Sequence, residues 1–231
     1  VLIITGVYLI SKKRKKNTSY NKNEIQYPPE YKNNKKELYD GWCWPGNSNW
    51  IDYLNPKSKE YWSNKFKING FLGNTKNLYV WNDMNEPSVF NGPEISFPKD
   101  NLHINDIEHR EVHNIYGYLM QASTYEGLLK RSNNEERPFI LSRSFFAGSQ
   151  SVGAIWTGDN QAKWEFLRLS NSMLLSLGIS GITFSGSDVG GFFGDPEIDL
   201  LIRWYQVGIF NPFFRAHAHI DTKRREPWVF G

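Results

Sequence analysis

From residue 37 onward, short apolar segments alternate with longer stretches of helical period, and this alternation constrains the fold more than any other feature. Residues 77–83 (NLYVWND), 138–143 (PFILSR), 153–159 (GAIWTGD), 178–188 (GISGITFSGSD) and 210–218 (FNPFFRAHA) are short and rich in β-branched or aromatic side chains, so they read as strands. Residues 112–131, 164–177 and 196–206 read as helices; in the second, Phe166, Leu167, Leu169, Met173, Leu174 and Leu177 fall near 3.6 spacing. Strands alternating with helices form βαβ units, whose sheet is parallel. Residues 1–10 add a sixth apolar candidate strand. A complete barrel of this kind has eight strands. The expected fold class is therefore α/β, an incomplete (β/α)8 TIM barrel with about six of eight strands.

Polar residues gather where these segments end. Asp83, Arg143, Asp159, Asp188 and His217 each close or directly follow a candidate strand. In such a barrel the carboxyl ends of the strands carry the active site. A single acidic residue there also suits a helix cap. Three Asp, one Arg and one His at five successive strand ends fit a functional site far better. Abundant Trp and Phe beside carboxylates point to sugar, because aromatic faces stack on pyranose rings while Asp, Arg and His bind hydroxyls. Glycoside hydrolysis needs one carboxylate as nucleophile or base and a second as acid. A metal site is the rival for an Asp/His cluster, but His217 and His219 lie two apart and the helical HExxH pattern is absent. GxGxxG, GxxxxGK[ST] and GxSxG are absent as well.

Composition narrows the class further. Aromatic residues make up 16 % of the chain, enough for a sizeable core, so wholesale disorder is excluded. The formal charge is +3, but residues 1–36 hold 9 basic and 2 acidic residues against 18 and 22 in the rest. The mildly acidic body argues against a nucleic-acid partner. One cysteine, Cys43, excludes an internal disulfide and a cysteine-built zinc site, and reads as a small buried hydrophobe. No stretch reaches 18 apolar residues, so no transmembrane helix is expected. Residues 11–36 are rich in Lys, Asn and Tyr and lack any period, which reads as a disordered insertion between a strand at 1–10 and a partial catalytic barrel at 37–231. Asn17-Thr18-Ser19 within it is a glycosylation sequon. The chain does not begin with Met, and a fragment of a longer protein is the expectation. Trp42, Trp44, Trp50 and Trp62 suit packing as well as sugar contact. Arg215 reads as a structural partner of a carboxylate.

Trp81-Asn82-Asp83-Met84-Asn85-Glu86-Pro87 resembles the WxDMNE signature of glycoside hydrolase family 31, the retaining α-glucosidases. The likeness continues through RSFFAGSQ at 143–150, WTGDN at 156–160, GSDVGGF at 186–192 and FRAHAH at 214–219. GWCWPG at 41–46 and NGPE at 91–94 narrow it to members that trim glucose from N-linked glycans in the endoplasmic reticulum lumen. The resemblance implies Asp83 as nucleophile and Asp159 as general acid/base. It implies that Arg143, Asp188 and His217 bind the glucose and that Trp81, Met84, Trp156 and Phe192 wall it. Glu86 matches a supporting residue. It also implies a carbohydrate substrate, no metal or cofactor, and a regulatory β subunit as partner. A catalytically inactive carbohydrate-binding barrel and a transglycosidase or lyase of the same family are the alternatives. In the family the third barrel strand ends in an Asp-Pro pair, whereas Ile4-Thr5-Gly6-Val7 stands at the best placement here.

Overall fold

The computed structural model describes residues 2–5, 7–8 and 37–231. The proposed insertion at 11–36 and its sequon lie outside the described residues. The chain divides into two compact units. The first runs to Ile140 and adds Ser144–Phe146; the second comprises Leu141–Arg143 and Ala147–Gly231.

In the first unit β1 (Leu2–Thr5) pairs in parallel with β5 (Val80–Asp83), Thr5 opposite Asp83. Within the candidate strand at 1–10, Leu2–Thr5 lies in this parallel sheet, whereas β2 (Val7–Tyr8) belongs to a separate antiparallel sheet of order β2-β4-β3. Its other strands are β3 (Gly41–Cys43) and β4 (Gly46–Trp50), a hairpin that the βαβ reading did not foresee. Gly41 is required there, since a Cβ would lie 2.8 Å from Val89 Cγ1 and 2.9 Å from the Trp50 ring.

Helix α1 (Pro56–Asn64) was also missed, although its start is well marked. The Asn55 side chain caps it by accepting from Lys57 N, and Pro56 opens the first turn. A short α2 (His109–Val112) precedes α3 (Tyr116–Arg131), so the helix expected at 112–131 starts later than its period suggests. Helices α1 and α3 pack closely: Trp62 Nε1 donates to Thr124 Oγ1 at 2.9 Å and Ser63 Oγ to the Ser123 carbonyl at 3.1 Å. Cys43, Trp50, Tyr53, Trp62, Phe66, Tyr116, Met120 and Leu128 form the core between these layers.

In the second unit, which takes β6 (Ile140–Ser142) from Leu141 onward, β6, β7 (Ala154–Trp156) and β8 (Ser185–Gly186) run in parallel, with Leu141 opposite Ala154 and Trp156 opposite Gly186. Helix α4 (Trp164–Ile179) extends past the expected end at 177 and takes in residues read as the start of the next strand. It stops at Ser180, and Gly181 leaves the helix at φ +83°. Helix α5 (Ile198–Gly208) supplies Leu200 and Trp204 to a small core with Leu167 and Val189.

The strand expected at 210–218 does not form. Pro212 has no N–H to offer a ladder. The segment touches its neighbour at an isolated parallel bridge, Asp188 to Arg215, with Phe213 N donating to the Ser185 carbonyl at 3.0 Å. Neither unit closes a barrel among the described residues, whose strands in parallel pairs are β1, β5, β6, β7 and β8. No helix among them is long and apolar enough to cross a membrane.

Candidate active site

In the first unit Asp83 is the last residue of β5 and follows the buried Trp81 by two, so both project from one face of the strand. The backbone then breaks sharply. Met84 adopts φ +60°, a left-handed conformation that costs a non-glycine residue roughly 1–2 kcal/mol. Its amide donates to Asp83 Oδ1 at 3.0 Å, and its buried side chain packs into the core, which together hold the turn. Asn85, fully buried, accepts from Ser144 N at 3.0 Å. The Glu86 carboxylate accepts from Ser88 Oγ at 2.7 Å.

The loop after Asp83 is tied to the β3–β4 hairpin. Phe90 N donates to the Trp42 carbonyl at 2.8 Å, and Trp42 N donates to Asn91 Oδ1 at 2.8 Å. The Trp44 ring meets Phe90 edge-on at 5.0 Å. The four undecided tryptophans thus separate. Trp50 and Trp62 are core, whereas Trp42 and Trp44 are 50 % and 72 % exposed beside the Asp83 loop.

Elsewhere in the same unit stands a chain of polar groups, buried except for His113, that no motif announced. Asp52 Oδ1 meets His103 Nδ1 at 2.9 Å, His103 Nε2 meets His109 Nδ1 at 3.1 Å, and His109 Nε2 meets His113 Nδ1 at 2.7 Å. Burial, then the neighbouring His103 and His113, lowers the His109 pKa to about 3. The bonded partners are up to 51 residues apart in sequence, so no local spacing signals the whole array.

The second unit holds the other candidates. Arg143 follows β6, and its Nη1 lies 3.8 Å from Asp159 Oδ2. That is an ion pair rather than a hydrogen bond, with Asp159 one-third open to solvent. Asp159 follows β7, whose last residue is the buried Trp156. The next residue, Asn160, fastens this loop to the one after β8. Asn160 Nδ2 donates to the Asp188 carbonyl at 3.1 Å, and Phe192 N donates to Asn160 Oδ1 at 2.8 Å.

Asp188 is fully buried, and Arg215 holds its Oδ1 through Nη2 at 2.8 Å and Nε at 3.2 Å. The reading of Arg215 as a carboxylate partner matches this geometry. His217 follows that bridge rather than a strand end, with its ring 5.0 Å from Phe192. Burial, reinforced by the charge of Arg215, lowers the His217 pKa to about 4, so its imidazole is neutral near pH 7. Asn160 and Arg215 were not singled out as site residues; each stands within two positions of one that was.

The second unit thus brings Arg143 to Asp159 and gathers Asp188, Phe192 and His217 around Asn160 and Arg215. A neutral imidazole and an Arg-held carboxylate together supply donors and acceptors for hydroxyl groups. Among the described residues no cluster of three His, Cys, Asp or Glu side chains is set to hold a metal ion.

The family model of the glycosyl hydrolases family 31 TIM-barrel domain matches residues 2–231. The chain belongs to glycosyl hydrolase family 31. The barrel domain here is 63 % identical over 193 residues to a probable glucan 1,3-alpha-glucosidase of Oryza sativa subsp. japonica, covering 84 % of this chain and 21 % of that protein. The solved alpha3-Glc2-bound form of a glucosidase II alpha subunit superposes with a TM-score of 0.88 at 51 % identity, over 99 % of this chain and 24 % of that one. The catalytic subunit in a heterodimeric ER glucosidase II complex, solved with the binding domain of its regulatory subunit, gives 0.88 at 52 %, over 99 % and 25 %. The family 31 domain therefore spans about a fifth of the length of the curated relatives it matches.

Proposed function

We propose that this chain carries the catalytic residues of a retaining α-glucosidase that removes terminal α-linked glucose from N-linked glycans in the endoplasmic reticulum lumen. The observation that carries this reading is the 63 % identity to a probable glucan 1,3-alpha-glucosidase over a 193-residue stretch that includes Asp83 and Asp159.

Asp83 attacks the anomeric carbon as a carboxylate and forms a β-glucosyl ester. Asp159 gives its proton to the departing glycosidic oxygen, then takes one from the water that opens the ester. Two inversions return α-glucose. Asp188 and His217 bind hydroxyls of the departing glucose, Arg143 binds the same sugar beside Asp159, and Trp81, Met84, Trp156 and Phe192 exclude water around it. The exposed Trp44, braced by Phe90, offers an aromatic face to the sugar beyond the cleaved bond. The substrate linkage is α-1,3, and the β subunit of glucosidase II is the protein partner; both extend what is printed of the relatives.

Proton NMR of the full-length protein acting on an α-1,3-linked glucose disaccharide tests the stereochemistry. The α-anomer of glucose is expected first. In Asp159→Ala, a glucosyl fluoride needs no proton for departure, so azide is expected to restore turnover and yield α-glucosyl azide. First-formed β-glucose, or azide rescue that gives only the β-azide, would overturn the double displacement.

A further inference from the structure

We infer that Arg215 is a positioning residue of the sugar site, acting on bound glucose through Asp188 by holding that carboxylate in one orientation. The inference rests on the proposed α-glucosidase reading and adds to it a residue outside the set assigned to the sugar.

The geometry is that of a clamp. Both guanidinium bonds, at 2.8 and 3.2 Å, end on Oδ1 of Asp188 and anchor that oxygen by two charge-assisted donors. The backbone is held as well: Val189 N donates to the Arg215 carbonyl at 3.0 Å, and the Asp188 carbonyl accepts from Asn160. Two aromatic rings flank the Arg215 guanidinium, that of Trp156 at 5.1 Å and that of Phe213 at 5.4 Å, and favour its charge there. Gly186 lets this segment approach, since a Cβ there would stand 1.8 Å from the Phe213 carbonyl oxygen. One side chain therefore touches Asp188 and the wall residue Trp156, and stands two residues from His217. Lysine matches the charge but not the fork or the stacking plane, so the two can be told apart by substitution.

The same charge faces His217 and reinforces the lowering of its pKa by burial. The other charged groups lining the cavity beside His217 are Arg224, Arg225 and Glu226, with His219. Arg224 is paired with Glu226, and Arg225 is bonded to the Gly191, Gly194 and Lys223 carbonyls. Removing the Arg215 charge lifts the His217 pKa; removing the fork alone does not.

The test uses the full-length protein and an α-glucoside whose release is coloured. Arg215→Lys is expected to lose about 100-fold in kcat/KM, with a raised KM and the acid limb of the pH profile in place. Arg215→Gln is expected to lose as much and to shift that limb to higher pH. Asp188→Asn and its double variant with Arg215→Lys are expected to match within about threefold, because lysine keeps the charge facing His217 and the geometry it loses acts only through the carboxylate. Wild-type kcat/KM in Arg215→Lys, an unchanged KM with fewer active sites, losses that multiply in the double variant, or failure of both arginine variants to fold would each overturn the inference and leave the glucosidase reading standing. A wild-type protein without α-glucosidase turnover would overturn both.

Discussion

Replacing His109 by glutamine is expected to flatten the pH dependence of stability below neutrality. His109 is 1 % exposed, sits between His103 and His113, and has its pKa lowered from 6.5 to about 3. The sign follows from proton counting. Above pH 6.5 the group is neutral in both states and contributes no slope. Below it the unfolded chain binds a proton that the folded chain refuses, so stability falls as pH falls until the folded group titrates as well. Each pH unit in that window costs about 1.4 kcal/mol, which accumulates to about 2 kcal/mol at pH 5 and about 4 kcal/mol at pH 3, where the folded group has begun to titrate. Glutamine keeps hydrogen-bonding capacity but cannot titrate. His109→Gln is expected to be less stable than wild type near pH 7.5 by about 1–3 kcal/mol, through poorer bonds to its neighbours. The deficit is expected to shrink toward pH 4. Urea denaturation of both proteins at half-unit steps from pH 7.5 to 4 gives the comparison. Carboxylates and other histidines titrate in both proteins, so only the difference between the curves matters. Parallel curves, or a deficit that grows on acidification, would refute the reasoning.

Other outcomes follow from single contacts. Trp62→Phe removes the buried bond to Thr124 Oγ1 and is expected to cost about 1–3 kcal/mol in denaturant titration. Gly186→Ala drives a methyl group to 1.8 Å from the Phe213 carbonyl oxygen and is expected to cost more than about 3 kcal/mol, read as loss of soluble protein or a lowered Tm. Trp44→Ala, at a 72 % exposed position, is expected to change stability by less than about 0.5 kcal/mol yet raise KM for a disaccharide about tenfold, measured by initial rates.

The parallel pairs and their strand-end residues were legible because period and polarity change together there: NLYVWND ends at Asp83 and GAIWTGD at Asp159, as the last residues of their apolar runs. The β3–β4 hairpin was not legible. Its strands carry Gly, Asn and Ser instead of β-branched residues, and the close approach of Val89 to Gly41 comes from a segment nearly fifty residues away. Residues 210–218 look strand-like by composition, but Pro212 and the turn Asn211 N to Gly208 carbonyl leave only a bridge. Ile179 was read into a strand because β-branched residues favour strands, yet it completes the last turn of α4. Within the site, residue types and spacing singled out Asp83, Arg143, Asp159, Asp188 and His217. What they could not convey is which neighbour fastens them, because the Asn160 and Arg215 bonds reach 27 to 32 residues along the chain.

The proposed division of labour between Asp83 and Asp159 is the claim most open to direct measurement. A 5-fluoro-glucosyl fluoride slows the second step more than the first, so the ester formed by the attacking carboxylate accumulates. Incubated with the full-length protein, digested and sequenced by mass spectrometry, it is expected to leave one fluoroglucosyl group on the peptide containing WNDMNE, attached at Asp83, and to leave Asp159 unmodified. A label on Asp159, Asp188 or Glu86, or rapid turnover with no covalent adduct at any concentration of reagent, would contradict it.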